Sequence, residues 1–239
     1  VTGCMVERYK DDILKEMPEI DFITGVGKLS EAADYLCKEF NIAKKAGQSF
    51  RTIINAPYYA YVKISEGCNN TCAFCVIPNI RGRLKSRTME DIEQEIEMLA
   101  ADGVKEIIII SQDTTQYGMD IYGEEKLIPL MKKLTERFDN LLFRMLYLNP
   151  EGVTEEVIKF VAETKNVIKY FEVPVQHASD KILTKMRRAS TRQVIDNVFD
   201  TIRKLCPEAF IRTTFITGFP GESDTICYIK FTVSIWCLK

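Results

Sequence analysis

Residues 59–75 read Tyr-Ala-Tyr-Val-Lys-Ile-Ser-Glu-Gly-Cys-Asn-Asn-Thr-Cys-Ala-Phe-Cys, and this segment joins a strand pattern to a cysteine cluster. Aromatic and β-branched residues over Tyr59–Ile64 predict a β-strand. Cys68, Cys72 and Cys75 follow it with the spacing C-x3-C-x2-C. A strand that leads directly into such a loop is typical of a catalytic site in a parallel α/β fold.

The cluster supplies three thiolates rather than four. A structural zinc site is closed by four ligands, and an iron–sulfur cluster is normally held by four cysteines. Three thiolates therefore predict a four-iron cluster with one iron left open to another ligand. The alternative is a zinc site completed by the single histidine, His177. Zinc motifs usually come as two matched pairs, and a second pair is absent from the sequence, which favours the cluster.

From residue 58 onward the sequence alternates between strand and helix patterns. Thr88 is placed to cap the first helix, with Ile92, Ile96 and Leu99 at helical spacing behind it. This alternation predicts a partial parallel (β/α) barrel. Its predicted strands are 59–64, 106–111, 141–148, 169–175 and 210–217, and its predicted helices are 88–102, 126–138, 154–164, 179–187 and 191–205.

Polar or glycine-rich segments follow the predicted strands. Gln112 follows the second strand and Gln176 the fourth, and the fifth leads into a segment that begins at Gly218 and reads Gly-Phe-Pro-Gly-Glu. Because the carboxyl ends of parallel strands meet at one edge, we expect these residues to face the cysteine loop. The glycine-rich segment is either an ordinary turn or a place where the backbone approaches a ligand closely. His177, next to Gln176, is more typical of a packed residue than of a ligand.

Three further parts of the chain are predicted. Residues 1–50 resemble the remnant of a small α/β domain, with a helix over 7–17, a strand over 21–25, a helix over 29–40 and a linker over 41–48. Residues 54–224 would form the barrel. Residues 225–239 are rich in β-branched and aromatic side chains and break the alternation, so an altered tail and an extra strand both remain open. The sequence begins without an initiator methionine, and we expect further sequence upstream.

Composition excludes several classes of protein. Net charge is −2, from 32 basic and 34 acidic residues, which predicts no direct binding of nucleic acid. The apolar runs are too short to cross a membrane, and the first residues lack a signal-peptide pattern. Eight cysteines without a secretion signal indicate the reducing cytoplasm. Cys37 and Cys206 lie in helical patterns and are predicted to be small buried residues.

The form C-x3-C-x-aromatic-C, with Phe74 as the aromatic residue, resembles the signature of the radical S-adenosylmethionine (SAM) enzymes. The resemblance implies a [4Fe–4S] cluster on Cys68, Cys72 and Cys75, whose remaining iron binds the amino and carboxylate groups of SAM. An electron from the cluster would cleave SAM and yield a 5′-deoxyadenosyl radical. The resemblance also implies that SAM contacts Phe74, Gln112, Gln176 and Gly218.

The resemblance extends to the methylthiotransferases within that superfamily. It rests on residues 1–4, 63–68, 80–83 and 218–222. One branch modifies an adenosine of tRNA, and the other modifies the β-carbon of an aspartate in ribosomal protein S12. The segments 111–118, 146–150 and 173–180 resemble the aspartate branch. The implied partners are ribosomal protein S12, an electron donor and a sulfur donor.

Cys4 resembles the third of three cysteines that hold a second [4Fe–4S] cluster in the N-terminal domain of that family. The run Arg81, Arg83, Lys85 and Arg87 is either a solvated face or a partner for the substrate aspartate. No residue is assigned a catalytic role from the sequence. The alternatives are the tRNA enzyme, an electron carrier with a cluster, and an inactive fragment.

Overall fold

The computed structural model describes residues 1–43 and 56–223. Most of the predicted linker and the whole 225–239 tail therefore lie outside the described residues. The helices are α1 (Cys4–Glu16), α2 (Leu29–Glu39), α3 (Ile77–Arg81), α4 (Met89–Ala101), α5 (Leu127–Arg137), α6 (Glu155–Glu163), α7 (Asp180–Lys185) and α8 (Arg192–Leu205). The strands are β1 (Tyr59–Lys63), β2 (Ser65–Glu66), β3 (Lys85–Ser86), β4 (Glu106–Ile110), β5 (Leu142–Met145), β6 (Tyr170–Glu172) and β7 (Phe210–Arg212).

The long strands run parallel in the order β1-β4-β5, and β6 and β7 form a second parallel pair. A bridge between Phe143 and Val167 and a hydrogen bond of 3.0 Å from Leu148 N to Glu172 O join the two sheets. β4 lies between two strands, which explains its continuous isoleucine run. The predicted partial parallel barrel is therefore confirmed as an open arrangement of five strands.

The hydrophobic core lies between the sheets and the helices. Ile92, Ile96 and Leu99 of α4 are buried against the strands, as their spacing predicts. Thr88 Oγ1 caps α4 by accepting a hydrogen bond of 3.3 Å from Asp91 N. Each fully buried aliphatic side chain contributes about 1.5–3 kcal/mol of transfer free energy.

The sheet face turned away from the helices is called the inner face below. Side chains alternate along each strand, so the neighbours of core residues point to this face. It includes Tyr59, Tyr61, Arg144, Tyr170, Phe210 and Arg212. Within the described residues this face is partly open, since Phe210 is 65% exposed.

Several local predictions are wrong. A strand is predicted over Asp21–Gly25, but this segment contains only an isolated bridge between Thr24 and Thr2. The chain enters α1 at Cys4, so the segment before it is too short to form a longer pairing. The sheet pairing of β7 ends at Arg212, apart from a bridge between Gln176 and Phe215.

Burial of the two helical cysteines also differs. None of the α2 residues is buried by the part of the chain that the structure describes, and Cys37 is half-buried rather than packed in a core. The prediction for Cys37 is therefore wrong. Cys206, at the end of α8, is fully buried as predicted.

Candidate active site

The loop that carries the three cysteines, residues 67–76, is called the cysteine loop, and at its start the backbone packs closely against Gly82 and Arg83. Gly67 has φ +76°, and a Cβ built on it would lie 2.2 Å from Arg83 O. Cys68 N donates a hydrogen bond of 3.2 Å to Gly82 O, and β2 pairs with β3 on either side of the loop. Glycine is needed here because both the backbone angle and the close approach exclude a side chain.

On one side, Asn70 ties the cysteine loop to the segment after β4. Asn70 Nδ2 donates to Asp113 Oδ2 at 2.8 Å, and Gln116 Nε2 donates to Asn70 Oδ1 at 3.1 Å. Asp113 Oδ1 also accepts a hydrogen bond of 2.6 Å from Thr115 Oγ1. Asp113 is 3% exposed, and its burial raises the pKa of its carboxyl. This buried carboxylate fixes the loop relative to the sheet.

On the other side, the segment between α7 and α8 holds the same loop. Ala73 N donates to Met186 O at 2.9 Å. The guanidinium of Arg188 is within 3.9 Å of Cys72 Sγ and donates to Asn149 Oδ1 at 2.5 Å. The loop is therefore anchored by residues from two distant parts of the chain.

The three thiols belong to one electrostatic environment. Burial raises the pKa of the Cys68 thiol, a hydrogen bond from Asn70 N opposes this, and the nearby Asp113, Cys72 and Cys75 raise it further. Among residues 1–43 and 56–223, no three His, Cys, Asp or Glu side chains are grouped as ligands of a single metal ion. The zinc alternative needs His177 as the fourth ligand, but its Nδ1 accepts a hydrogen bond from Ser179 N and its Nε2 faces Glu222, so the ring is engaged elsewhere.

A cavity of about 150 Å³ lies beside the cysteine loop. Gln112 Oε1 and Arg188 Nε are buried there without a hydrogen-bond partner among the described residues. A polar ligand with both donors and acceptors would satisfy them, so these side chains suit the polar parts of a molecule such as SAM. The cavity is lined by Asn70, Gln112, Asp113, Tyr147, Asn149, Pro174, Gln176 and Arg188.

Three non-glycine residues around this cavity have left-handed backbone angles. They are Tyr147 with φ 59°, Gln176 with φ 69° and Arg187 with φ 55°. Such angles are uncommon outside glycine and cluster at functional sites, where the surrounding structure enforces them. Two of the three line the cavity, and the third precedes Arg188.

Phe74 and Gly218 lie outside the cavity lining. Phe74 is 37% exposed. Gly218 has φ +75° with open space where a Cβ would be, and Glu222 Oε2 accepts hydrogen bonds from Gly218 N at 2.8 Å and Phe219 N at 3.2 Å. The segment thus forms a turn closed by its own glutamate.

His177 is a packed residue, as its single occurrence indicates. It is fully buried, and its Nδ1 accepts a hydrogen bond of 2.9 Å from Ser179 N. The proton of the neutral ring therefore lies on Nε2, which faces Glu222 Oε1 at 3.6 Å. His177 connects the end of β6 to the turn at Gly218.

Cys4 is the first residue of α1 and lies against α3. Arg81 Nη2 donates to Cys4 Sγ at 3.0 Å while Arg81 Nη1 pairs with Glu66 Oε1 at 2.7 Å. The positively charged residues between Arg81 and Arg87 therefore have different surroundings. Arg87 pairs with Asp91 at 2.6 Å, whereas Arg83 is exposed to solvent.

The family model described as "Radical SAM superfamily" matches residues 62–226. The chain belongs to the radical SAM superfamily. Superfamily members use a [4Fe–4S] cluster and SAM, and the three thiols with the adjoining polar cavity suit both.

Curated relatives carry the name "Ribosomal protein uS12 methylthiotransferase RimO". The protein from Acetivibrio thermocellus is 43% identical over an alignment of 241 positions, gaps included, and the alignment covers 94% of this chain and 53% of that protein. The protein from Aquifex aeolicus is 45% identical over 225 residues, with 94% and 51% covered. The chain therefore spans about half the length of the curated relatives it matches.

Solved structures show the same fold. TsrM from Kitasatospora setae, a radical SAM methyltransferase solved with tryptophan and a SAM analogue, has a TM-score of 0.60 at 19% identity, over 74% of this chain and 34% of that chain. The cobalamin-dependent radical SAM enzyme OxsB has a TM-score of 0.63 at 12% identity, over 90% and 36%. These likenesses place the chain in the radical SAM fold.

The structure adds site residues that the sequence did not single out. Asn70, Asp113 and Asn149 lie in segments next to the predicted cysteines and strand ends, so their position was a usable signal. Arg188 lies in a pair of arginines between two helices, which is typical of a solvated surface, and no sequence pattern pointed to it. None of the described helices is long and apolar enough to cross a membrane.

Proposed function

We propose that the chain is the radical-generating part of an enzyme that adds a methylthio group to the β-carbon of an aspartate in ribosomal protein S12. The observation that carries this proposal is the 43% identity to a RimO protein over 94% of the chain. A ribosomal-protein substrate indicates action in the cytoplasm. The enzyme also requires an electron donor and a sulfur donor.

In this proposal Cys68, Cys72 and Cys75 hold the [4Fe–4S] cluster, and the adjoining cavity holds SAM. When bound, the cluster and SAM supply a radical strong enough to remove a hydrogen atom from an unactivated carbon. Gln112 and Arg188 offer a buried acceptor and a buried donor to the polar parts of SAM. Gln176 lines the same cavity. Phe74 and Gly218 do not line the cavity, and we propose that they contact the part of SAM that extends beyond it.

The substrate chemistry explains why such a site is needed. The β-carbon of an aspartate is an sp3 centre whose hydrogens are not acidic, so a general base has little effect on it. The protein must instead hold this carbon beside the radical and exclude water. The tightly held cysteine loop and the cavity beside it provide that rigidity.

Cys4 is proposed as a ligand of a second [4Fe–4S] cluster, which would take part in sulfur transfer. Arg81 keeps this thiol next to the helix that follows the cysteine loop. The division of the chain into residues 1–50, 54–224 and 225–239 is kept as part of this proposal. Neither membrane nor nucleic-acid binding belongs to it.

Anaerobic reconstitution tests the cluster. We expect the wild-type chain to bind the iron of a [4Fe–4S] cluster at the three-cysteine loop and to show a changed electron paramagnetic resonance signal when SAM is added. Cys72→Ala should lose this iron, because it removes one of three thiolates. Cys37→Ala is the matched control, since Cys37 lies in α2 away from the loop, and should retain it. Full iron in Cys72→Ala would refute the assignment.

Mass spectrometry of the products tests the reaction. The full-length protein, incubated with reductant, sulfide, SAM and an S12 peptide, should add a methylthio group to the aspartate. Addition to tRNA would favour the adenosine branch. Electron transfer without SAM cleavage would favour an electron carrier, and 5′-deoxyadenosine without a modified product would contradict the proposed substrate.

A further inference from the structure

Arg212 lies on the inner face at the edge of the SAM cavity. Its neighbour Ile211 is buried in the core, so Arg212 points to the opposite face of β7, where its side chain is 60% exposed. A hydrogen bond to Tyr170 is the largest cause that raises the pKa of Arg212, followed by the charges of Glu172, Tyr170 and finally Tyr147. Arg212 pairs with Glu172, Glu172 accepts a hydrogen bond from the backbone of Tyr147, and Tyr147 lines the cavity, so the guanidinium lies close to the cavity.

Glu172 orients this arginine. Its side chain is 6% exposed, and Oε1 lies 3.6 Å from Arg212 Nη1. Glu172 Oε2 accepts a hydrogen bond of 3.3 Å from Tyr147 N, and Tyr147 has the left-handed φ of 59°. A buried carboxylate thus connects a strained cavity residue to an exposed guanidinium.

Two of the other cations in this region, Arg144 and Arg188, have close partners. Arg144 pairs with Glu106 at 2.7 Å and lies over the ring of Tyr170 at 4.9 Å. Arg188 is half-buried and donates to Asn149 Oδ1 and to Pro174 O. Arg212 has a single, longer ion pair and a large exposed surface, so part of its donor fork can bind another carboxylate.

From this geometry we infer that Arg212 is the subsite for the side-chain carboxylate of the substrate aspartate, with Glu172 and Tyr147 as positioning residues. The inference rests on the proposed function and names the residue that selects its substrate. In aspartate the β-carbon is bonded directly to the carboxylate carbon. A guanidinium that binds the carboxylate at the cavity edge therefore also fixes the reacting carbon there.

The subsite makes recognition depend on charge. An asparagine has the shape of aspartate but lacks the negative charge, and it offers one carbonyl oxygen instead of two equivalent acceptors. Since hydrogen bonds to charged groups are stronger than neutral ones, the aspartate peptide should bind at least about 10-fold more tightly than its asparagine counterpart. The ratio of the two peptide affinities reports the contribution of Arg212 to recognition and does not depend on catalysis.

Peptide binding by the full-length enzyme, reconstituted and saturated with SAM, tests the inference. The wild type should prefer an S12 peptide with aspartate over the same peptide with asparagine. Arg212→Gln should bring this ratio close to one, and Arg212→Lys should restore part of it. Arg137→Gln, on the outer surface of α5, is the matched control and should keep the wild-type ratio.

The results separate the inference from the proposed function. A wild-type enzyme without a preference for aspartate, or Arg212→Gln with an unchanged ratio, would overturn the subsite. A charge preference that depends on Arg212, without any methylthio product, would support the subsite and contradict the proposed reaction. The yield of 5′-deoxyadenosine without peptide should be the same in Arg137→Gln as in the wild type, which shows that the control variant keeps its SAM site intact.

Discussion

At the scale of single residues, Gly67 decides whether the cysteine loop can form. Its left-handed backbone alone disfavours alanine by about 1–3 kcal/mol. A Cβ would in addition overlap Arg83 O at 2.2 Å and Gly82 O at 2.6 Å, and both are backbone atoms that cannot rotate away. We expect Gly67→Ala to lower the free energy of unfolding by more than about 3 kcal/mol, measured by urea denaturation.

Gly123→Ala is the matched control for that substitution. Gly123 has the same φ of +76°, but nothing lies within 4 Å of its built Cβ. It should therefore lose only the conformational part, about 1–3 kcal/mol. Equal losses in the two variants would show that the overlap at Gly67 has no energetic effect.

The site residues differ in how readily they can be predicted from the sequence. The three cysteines are recognisable because the cluster proposed for them would dictate both residue type and spacing. Gln112 and Gln176 are found because the ends of parallel strands converge. Arg188 becomes a site residue only through contacts with Cys72 and Asn149, and those contacts depend on tertiary structure.

At the scale of elements, the effect of a helix cap can be tested by replacing threonine with alanine at a helix N-terminus and in a helix interior. Thr88 Oγ1 accepts from Asp91 N at the start of α4, so Thr88→Ala leaves a backbone donor without its cap. We expect a loss of about 1 kcal/mol and a melting temperature about 2–4 °C lower, measured by thermal denaturation.

Thr201→Ala provides the comparison within a helix. Thr201 Oγ1 donates to Asn197 O in the middle of α8, where alanine has the higher helix propensity. This variant should be as stable as the wild type or slightly more stable. A loss as large as that of Thr88→Ala would mean that the cap is not the cause.

Elements with strong periodicity were predictable, and short segments were not. The stripe Ile92, Ile96 and Leu99 reports a buried helix face directly. By contrast, Asp21–Gly25 has the composition of a strand, yet a strand also needs a partner of similar length. That partner is a tertiary property, and within the described residues the segment pairs only with Val1 and Thr2.

At the scale of the whole molecule, Arg81 joins the N-terminal helix to the cysteine-loop region. Arg81→Ala removes its contacts with both Cys4 and Glu66. Because these groups are partly exposed, we expect a weakening of about 1 kcal/mol. Hydrogen exchange of α1 amides should become several-fold faster, while the buried amides of β4 should be unaffected.

Arg83→Ala is the control for this effect, since Arg83 lies two residues further on and is exposed. Its exchange pattern should match the wild type. Faster exchange throughout Arg81→Ala, including β4, would indicate general destabilisation rather than loosening of α1.

The anchoring of the cysteine loop by Met186 has a consequence for biosynthesis. Ala73 and Met186 are 113 residues apart (186 − 73), so the loop leaves the ribosome long before its anchor is made. At about 5–20 residues per second, that interval lasts roughly 6–23 s. During this time the nascent thiols lack their lateral support. Cluster assembly machinery would therefore meet a finished site only after residue 186 has been made, and oxidants would meet an unprotected one before then.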